Sequence, residues 1–459
     1  NGTEKIILGK ALLEKVFGEE EVKILETFKG KKLKGVKYQP LFTFLPPDKP
    51  AYYVVLQDYV TMDDGTGLVH TAPAFGAEDM LAAKEHDLPV LMTVKDDGTF
   101  IQEVRPWSGK FVKDADPEII QDLENRGLMF QSKLYEHTYP FCWRCNTPLL
   151  YYARGTWFVR TSKFKEKLVS LNQDINWVPN HIKDGRFGNW LENNIDWSLG
   201  RERYWGTPLP VWECHDCNHQ VCIGSLKELE EYVGEDLSEL DLHRPHVDNI
   251  TFDCPECGNH PMHRVPELID VWFDSGAMPY AQWHYPFENK ATFENQFPAD
   301  YICEAVDQTR GWFYTLHAIS TLLMNTVSFK NVICLGHILD GEGRKMSKSL
   351  GNIVDPWAVL NTQGADAFRW YLYTASPPGN SRRFSVDLVS EVVRNFTLTL
   401  WNVYSFFVTY ANLDGWTPDS KKSYQYSSLD KWLRSSLHAL VRDVTDSMGN
   451  YDVLGATRP

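Results

Sequence analysis

The sequence has no long apolar run, no excess of positive charge and no low-complexity segment. Spanning a bilayer takes roughly 18 to 20 apolar residues. The nearest approach, GWFYTLHAISTLLM (311–324), is shorter and carries His317, so it reads as a buried helix and no membrane partner is expected. Asp and Glu number 61 against 46 Lys and Arg, a formal net charge of −15. That balance excludes a protein that coats nucleic acid by charge alone, while leaving room for a local basic groove. The chain opens on NGTEKIILGK with neither initiator Met nor signal peptide, so a fragment of a cytoplasmic protein is expected. What is present is a folded composition. At 459 residues, 43% hydrophobic and 13% aromatic, the chain exceeds one ordinary core, and roughly two to four domains are expected.

Nine cysteines are present, and six fall in Cys-x-x-Cys pairs: Cys142/Cys145, Cys214/Cys217 and Cys254/Cys257. In a large chain with no export signal, this spacing favours metal over disulfides. The last two pairs make a four-thiolate set suited to tetrahedral Zn2+, and four thiolates leave no open position, so the ion is structural. The insert between them is longer than in common zinc ribbons, which leaves an exchange with His215, His219, Cys222, His260 or His263 open. Cys142 and Cys145 have no free pair to complete them. They are either half of a second metal site or an incidental pair of small residues.

The chain changes character along its length. Residues 1–136 look rich in strands, with YYVVLQDYV (52–60) running into the turn DDGTG and a second apolar run entering DDG at 96–98. Residues 137–200 are aromatic and carry the first Cys pair, and 201–265 hold the zinc-type insertion. From 266 to 340, DYICEAV, a helical segment and NVICLGHIL form a strand–helix–strand unit, the repeat of a Rossmann-like parallel α/β sheet. Ligands on such sheets sit at the carboxyl ends of the strands. Residues 341–395 hold a basic loop, and 396–459 turn helical, with Leu429, Trp432, Leu433, Leu437, Leu440, Val441, Val444 and Met448 at helical spacing. The expected class is multidomain α/β.

The loop reads GHILDGEGRKMSKSLGN (336–352), with Arg344, Lys345 and Lys348 close together after a strand. Glycines and serines admit an anion to backbone N–H groups, and lysines add mobile point charges. The string KMSKS-LGN resembles the second signature of the class I aminoacyl-tRNA synthetases. By that resemblance Lys345 and Lys348 grip the triphosphate of ATP, bound with Mg2+, while an amino acid is activated, Lys348 being the stronger contact. ELIDVWFDSGAMP (267–279) and ICEAVDQTRGWFYTL (302–316) are similar to the isoleucyl branch of that family more than to its valyl or leucyl relatives. The resemblance implies that Glu304, Asp307 and Gln308 line the adenylate site, that Trp272 and Trp312 flank the aliphatic side chain, and that His337 contacts ATP. Without it, two Trp in apolar runs are ordinary core residues.

DDGTGLVHTAPAFGAED (63–79) is similar to the family's editing segment, which implies an inserted editing domain, with Asp79 holding the amino group of a mischarged residue and Thr66 and His70 lining the pocket. The isoleucine–valine pair is the standard worked case in which one methylene discriminates too weakly and a second site removes the smaller product. Read without the family, DDGTG is a hairpin turn and Glu78–Asp79 a helix start that favours acids. Phe75 stands where many bacterial members carry His. WSLGRERYWGTPLPVW (197–212) resembles the stretch near the tRNA acceptor end, which implies that Arg201, Arg203 and Trp205 meet tRNA, although Leu199 and Gly200 depart from the usual Ile and Ser. No His-x-Gly-His occurs, and the anticodon-binding bundle is only begun. The resemblance therefore implies an internal piece of a monomeric enzyme that joins isoleucine to tRNA(Ile) and edits valine, with little activity as this piece alone. A valyl or leucyl relative, or a free-standing editing or nucleic-acid-binding zinc protein, are the alternatives.

Overall fold

The computed structural model describes residues 5–18, 22–134, 136–142, 145–258, 260–347 and 350–459. The chain divides into two compact units, Asn1–Gly155 and Thr156–Pro459.

In the first unit the two DDG sequences form turns, with Gly65, Gly67 and Gly98 all at positive φ. At the second, the Lys95 N–H donates to the Thr99 carbonyl (2.8 Å) and Ile101 to Thr93 (3.1 Å), a tight hairpin. The expected run of strands is not there: among the described residues this unit holds isolated bridges and helices rather than ladders. The run at 52–60 shows why. Gly35 and Val54 exchange bonds with their partners as a ladder would, and Tyr38 donates to Tyr52, but Tyr52 sits at φ 62°, which turns the backbone out of the pleat. Its two longer helices are α1 (Ala77–His86) and α2 (Val112–Asn125). Its core is small: Val104, Trp107 and Ala115, with Phe42, Phe44 and Phe100 packed around them.

The second unit is built on a parallel sheet that begins with β1 (Asn176–Val178). A four-stranded antiparallel insertion follows, made of β2 (Val211–Cys214), β3 (Gln220–Cys222), β4 (Phe252–Asp253) and β5 (Pro261–Arg264) in the order β3-β2-β5-β4. The helix α3 (Leu226–Val233), capped by Ser225, packs Leu229 beside Trp212, Phe252 and Met262. Next come α4 (Val271–Ala281), β6 (Ala299–Ala305), α5 (Trp312–Met324) and β7 (Phe329–Leu335). The parallel order is β6-β7-β1, with Cys303 opposite Ile333 and Ile333 opposite Val178.

Central β7 is mostly buried and β6, on the edge, is largely not, as a parallel sheet requires. In α5 nine successive residues, Phe313 to Thr321, are buried, so this apolar-all-round segment is an interior crossover helix. Phe313, Phe329, Val332, Trp177 and Phe187 form the core beneath it. Gly276 lets α4 lie directly on α5, because a Cβ there would stand 2.9 Å from Ile319 and from the Thr315 backbone. The expected strand–helix–strand unit is thus present, and His317 is fully enclosed within it.

Three helices, α6 (Pro356–Gln363), α7 (Ala365–Thr374) and α8 (Val386–Val392), close around Val359, Tyr371 and Val389. Two longer ones follow, α9 (Leu398–Leu413) and α10 (Ser428–Gly449), the latter opened by a Ser427–Asp430 capping box. Their apolar faces are exposed, Trp401, Phe406, Trp432 and Leu433 among them. Among the described residues no helix is long and apolar enough to cross a membrane.

Candidate functional site

Strand β6 ends at Ala305 and passes through one tight turn, Val306–Arg310, into α5. Glu304 and Asp307 lie exposed at this strand end. Gln308 is the organiser: its Oε1 accepts the Trp312 N–H (3.0 Å) and its Nε2 donates to the Asp307 carboxylate (3.2 Å). Trp312 donates its indole N–H to the Ser275 carbonyl on α4 (3.1 Å). Gly311 fits between, since a Cβ would come within 2.8 Å of Gln308 Oε1 and 3.0 Å of the Trp272 ring. The turn thus gathers Asp307, Gln308, Trp272 and Trp312, while Glu304 stands exposed on the same strand end. Trp272 is 41% exposed and Trp312 half-buried, so one indole faces outward and the other is anchored. A cavity of about 260 Å³ runs from Trp312, Leu316 and Ile302 to Gln296, Phe297 and Phe329 at the start of β6 and β7, the opposite end of the strands from Glu304 and Asp307.

Beyond β7 the chain forms a short strand, Ile338–Leu339, paired in parallel with Arg382–Arg383. His337 is exposed, and its carbonyl accepts from Arg382 N–H (2.9 Å). Asp340 follows, only 4% exposed, and the basic loop turns around it. Arg344 is committed to the protein, with Nε 3.0 Å from Asp340 and its far amino group 3.2 Å from Glu342. Of the three cations in the sequence, that one is structural. Lys345 is exposed, its ammonium engaged by no described residue. Lys348 lies outside the described residues.

Cys214, Cys217, Cys254 and Cys257 bring their sulphurs within 4.8 Å of one another. The two knuckles are built alike. Cys214 N–H donates to the His219 carbonyl and Cys254 N–H to that of His260, while Asn218 and Gly258 take positive φ and donate back to Cys214 and Cys254. This is the donor number and spread of a tetrahedral Zn2+ site. Of the alternative ligands, His260 pairs with Asp216 (2.7 Å) and His215 stacks on His263. Cys142 and Cys145 join no such group among the described residues, and Cys145 lies 3.1 Å from the Thr147 hydroxyl.

Arg201 turns inward. It donates to the carbonyls of Ser198 (2.8 Å) and Gly200 (2.9 Å) and to buried Asp270 (2.8 Å), which also accepts from Trp197 and caps α4. Arg203 and Trp205 are exposed, and Trp205 stacks face to face on His243 at 4.9 Å. In the first unit Thr66 bonds within its own turn, to the Leu68 carbonyl, and His70 is exposed. Asp79 lies in the first turn of α1 and accepts from the Ala72 N–H (3.1 Å) and the Tyr59 hydroxyl (3.4 Å), as a carboxylate at a helix start does. Among the described residues no hydrogen bond joins it to Thr66 or His70.

The family profile of tRNA synthetases class I (I, L, M and V) matches residues 17–385. The chain belongs to that family. Isoleucine–tRNA ligase of Clostridium novyi (strain NT) is 52% identical to it over 454 residues, covering 99% of this chain and 43% of that protein. The enzyme of the same name from Clostridium acetobutylicum is 51% identical over 457 residues, 99% of this chain and 44% of that protein. The one from Thermus thermophilus is 49% identical over 461 residues, 100% and 43%. The chain therefore spans less than half the length of these relatives.

In this class I synthetase chain two residues passed unremarked in the sequence: Asp340 and Asn352, which flank the signature and meet across it. An Asp four positions before Arg and an Asn just past the loop are common enough that only their contact singles them out.

Proposed function

We propose that the protein carrying this chain activates isoleucine with ATP and transfers it to the 3′ end of tRNA(Ile). What supports this most is the meeting, at one strand end, of Asp307, Gln308, Trp272 and Trp312, in a chain about half identical to isoleucine–tRNA ligases along its length. In this reading the isoleucine carboxylate attacks the α-phosphorus of ATP, an O–P bond forms, and the bond from that phosphorus to pyrophosphate breaks. Glu304 and Asp307 hold the α-ammonium, the two indoles flank the aliphatic chain, and Gln308 and His337 hold the adenylate. Negative charge grows on the departing pyrophosphate. Lys348, together with Lys345, meets that charge more strongly in the transition state than in the ground state, which lowers the barrier without a covalent protein intermediate. Mg2+ enters with ATP as part of the substrate.

The four cysteines hold a structural Zn2+, which fastens the ends of β2 and β4 and supplies no reaction chemistry. Arg203 and Trp205 offer charge and a stacking face to the single-stranded acceptor end, and Arg201 acts by shaping that segment. The first unit we read as an editing domain that hydrolyses mischarged valine at a pocket formed by Thr66, His70 and Asp79. Residues 396–459 begin a helical tRNA-binding domain, and the protein is a cytosolic monomer.

The test is pyrophosphate exchange into ATP with isoleucine, valine and leucine in turn, using the full-length protein. Isoleucine should support the fastest exchange, and Lys345→Ala should lower kcat by roughly 10²-fold. Exchange with none of the three would overturn the reading.

A further inference from the structure

We propose that Asp340 and Asn352 form a clasp that closes the cationic loop and fixes where Lys345 is presented, so that both are positioning residues for the reaction. This rests on the reading of the loop as the part that faces ATP. A carboxylate only 4% exposed is unusual unless its charge is met by donors. Asp340 meets four. Its Oδ1 accepts the N–H groups of Glu342 (3.1 Å) and Arg344 (2.7 Å), and its Oδ2 accepts Arg344 Nε (3.0 Å) and Asn352 Nδ2 (2.8 Å).

The first two bonds are what any Asp at the start of a turn makes. The last is not, because Asn352 lies twelve positions on. Asn352 spends the rest of its amide inside the loop as well. Its Nδ2 also donates to the Lys345 carbonyl (3.1 Å), and its Oδ1 accepts the Ser347 N–H (2.9 Å). One side chain thus ties positions 340, 345 and 347 together. Asn352 first, then the Arg344 N–H and guanidinium, hold the Asp340 carboxyl down at about 2, so it stays charged at any working pH.

The clasp divides the labour among the cations. Arg344 pairs through Nε with Asp340 and through one amino group with Glu342. Lys345 has its carbonyl pinned and its side chain exposed, so the backbone is fixed where the ammonium remains available. A pre-placed cation needs no reordering as charge develops on the leaving group, so loosening the clasp should act on kcat rather than on binding of the amino acid.

The experiment uses the full-length protein with Asn352→Ala, Asp340→Asn and the exchange variant Asp340→Asn/Asn352→Asp, which restores an amide–carboxylate bond with the roles reversed. Two quantities are read: hydrogen exchange at the amides of Glu342, Arg344 and Ser347, and isoleucine-dependent pyrophosphate exchange. Asn352→Ala should speed exchange at Ser347 by roughly tenfold or more. It should lower kcat by roughly tenfold or more while KM for isoleucine stays within about twofold. The exchange variant should recover part of the kcat lost in Asp340→Asn. Should Asp340→Asn fail to fold, Asn352→Ala carries the test, since Asn352 is only half-buried. A kcat within about twofold of the unaltered protein, or a lower kcat with unchanged amide exchange at Ser347, would overturn the proposal. If the unaltered protein shows no isoleucine-dependent exchange, the functional reading fails, while the amide exchange still decides whether the clasp exists.

Discussion

In the strand–helix–strand segment 299–335, α5 buries nine residues in succession against a sheet whose central strand is mostly buried. The stretch 52–60 in the first unit is far richer in Val and Tyr, yet it pairs briefly with 35–38 and leaves the pleat at Tyr52. The difference lies in how each segment satisfies its backbone. A helix closes its own hydrogen bonds, so an apolar helical run can nucleate an interior wherever sheet is at hand. A strand depends wholly on a neighbour, and its composition says nothing of whether one exists. The thiols divide in the same way. Four in the second unit converge, and the two in the first unit belong to no group of three or more donors among the described residues.

The sharpest way to break this comparison is metal analysis. Elemental measurement should find about one zinc per chain, falling to near none in Cys254→Ser and unchanged in Cys142→Ser. A value near two would return Cys142 and Cys145 to metal binding and erase the contrast between the units.

Core truncation comes next. Phe329→Ala, at 0% exposure beneath α5, should cost about 3 to 5 kcal/mol, read from the urea midpoint of the transition that carries it. Phe44→Ala, on the half-buried rim of the first unit's core, should cost roughly 1 to 2 kcal/mol. Equal costs would mean that the first unit is packed as tightly as the second.

A further effect is set by pH. His317 is enclosed in α5, with Nε2 2.8 Å from the Leu168 carbonyl, and burial pushes its pKa down to about 4. The unfolded chain therefore takes up this proton first as pH falls. The contribution is complete above about pH 6.5, declines towards about pH 4 and is level below that, a total of about 3 kcal/mol. His317→Asn should flatten that window relative to the unaltered protein, as followed by urea midpoints across the range. A window of the same depth in the variant would place the titrating group elsewhere.

Much of the candidate site was legible because its parts are local. The CxxC spacings, the KMSKS loop after a strand, and Trp312 at the start of an apolar helix each fall within a few residues of the partner that gives them meaning. What was not legible depended on distant partners. Arg201 looks like a free cation in the string GRERYWG, but Asp270, sixty-nine positions on, holds it. Arg344 looks equivalent to Lys345 until Asp340 and Glu342 are seen to occupy it.

By itself, then, the sequence determined the elements whose bonds close locally: the turns at DDG, the helices from 428 onward and the knuckle spacings. Hydrogen bonds and periodicity within a few residues suffice for these. Only the tertiary structure decided which strands found neighbours, which thiols converged and which cations were already spoken for. Each of those outcomes is a contact between residues far apart in the chain, and side-chain composition does not encode the distance between them.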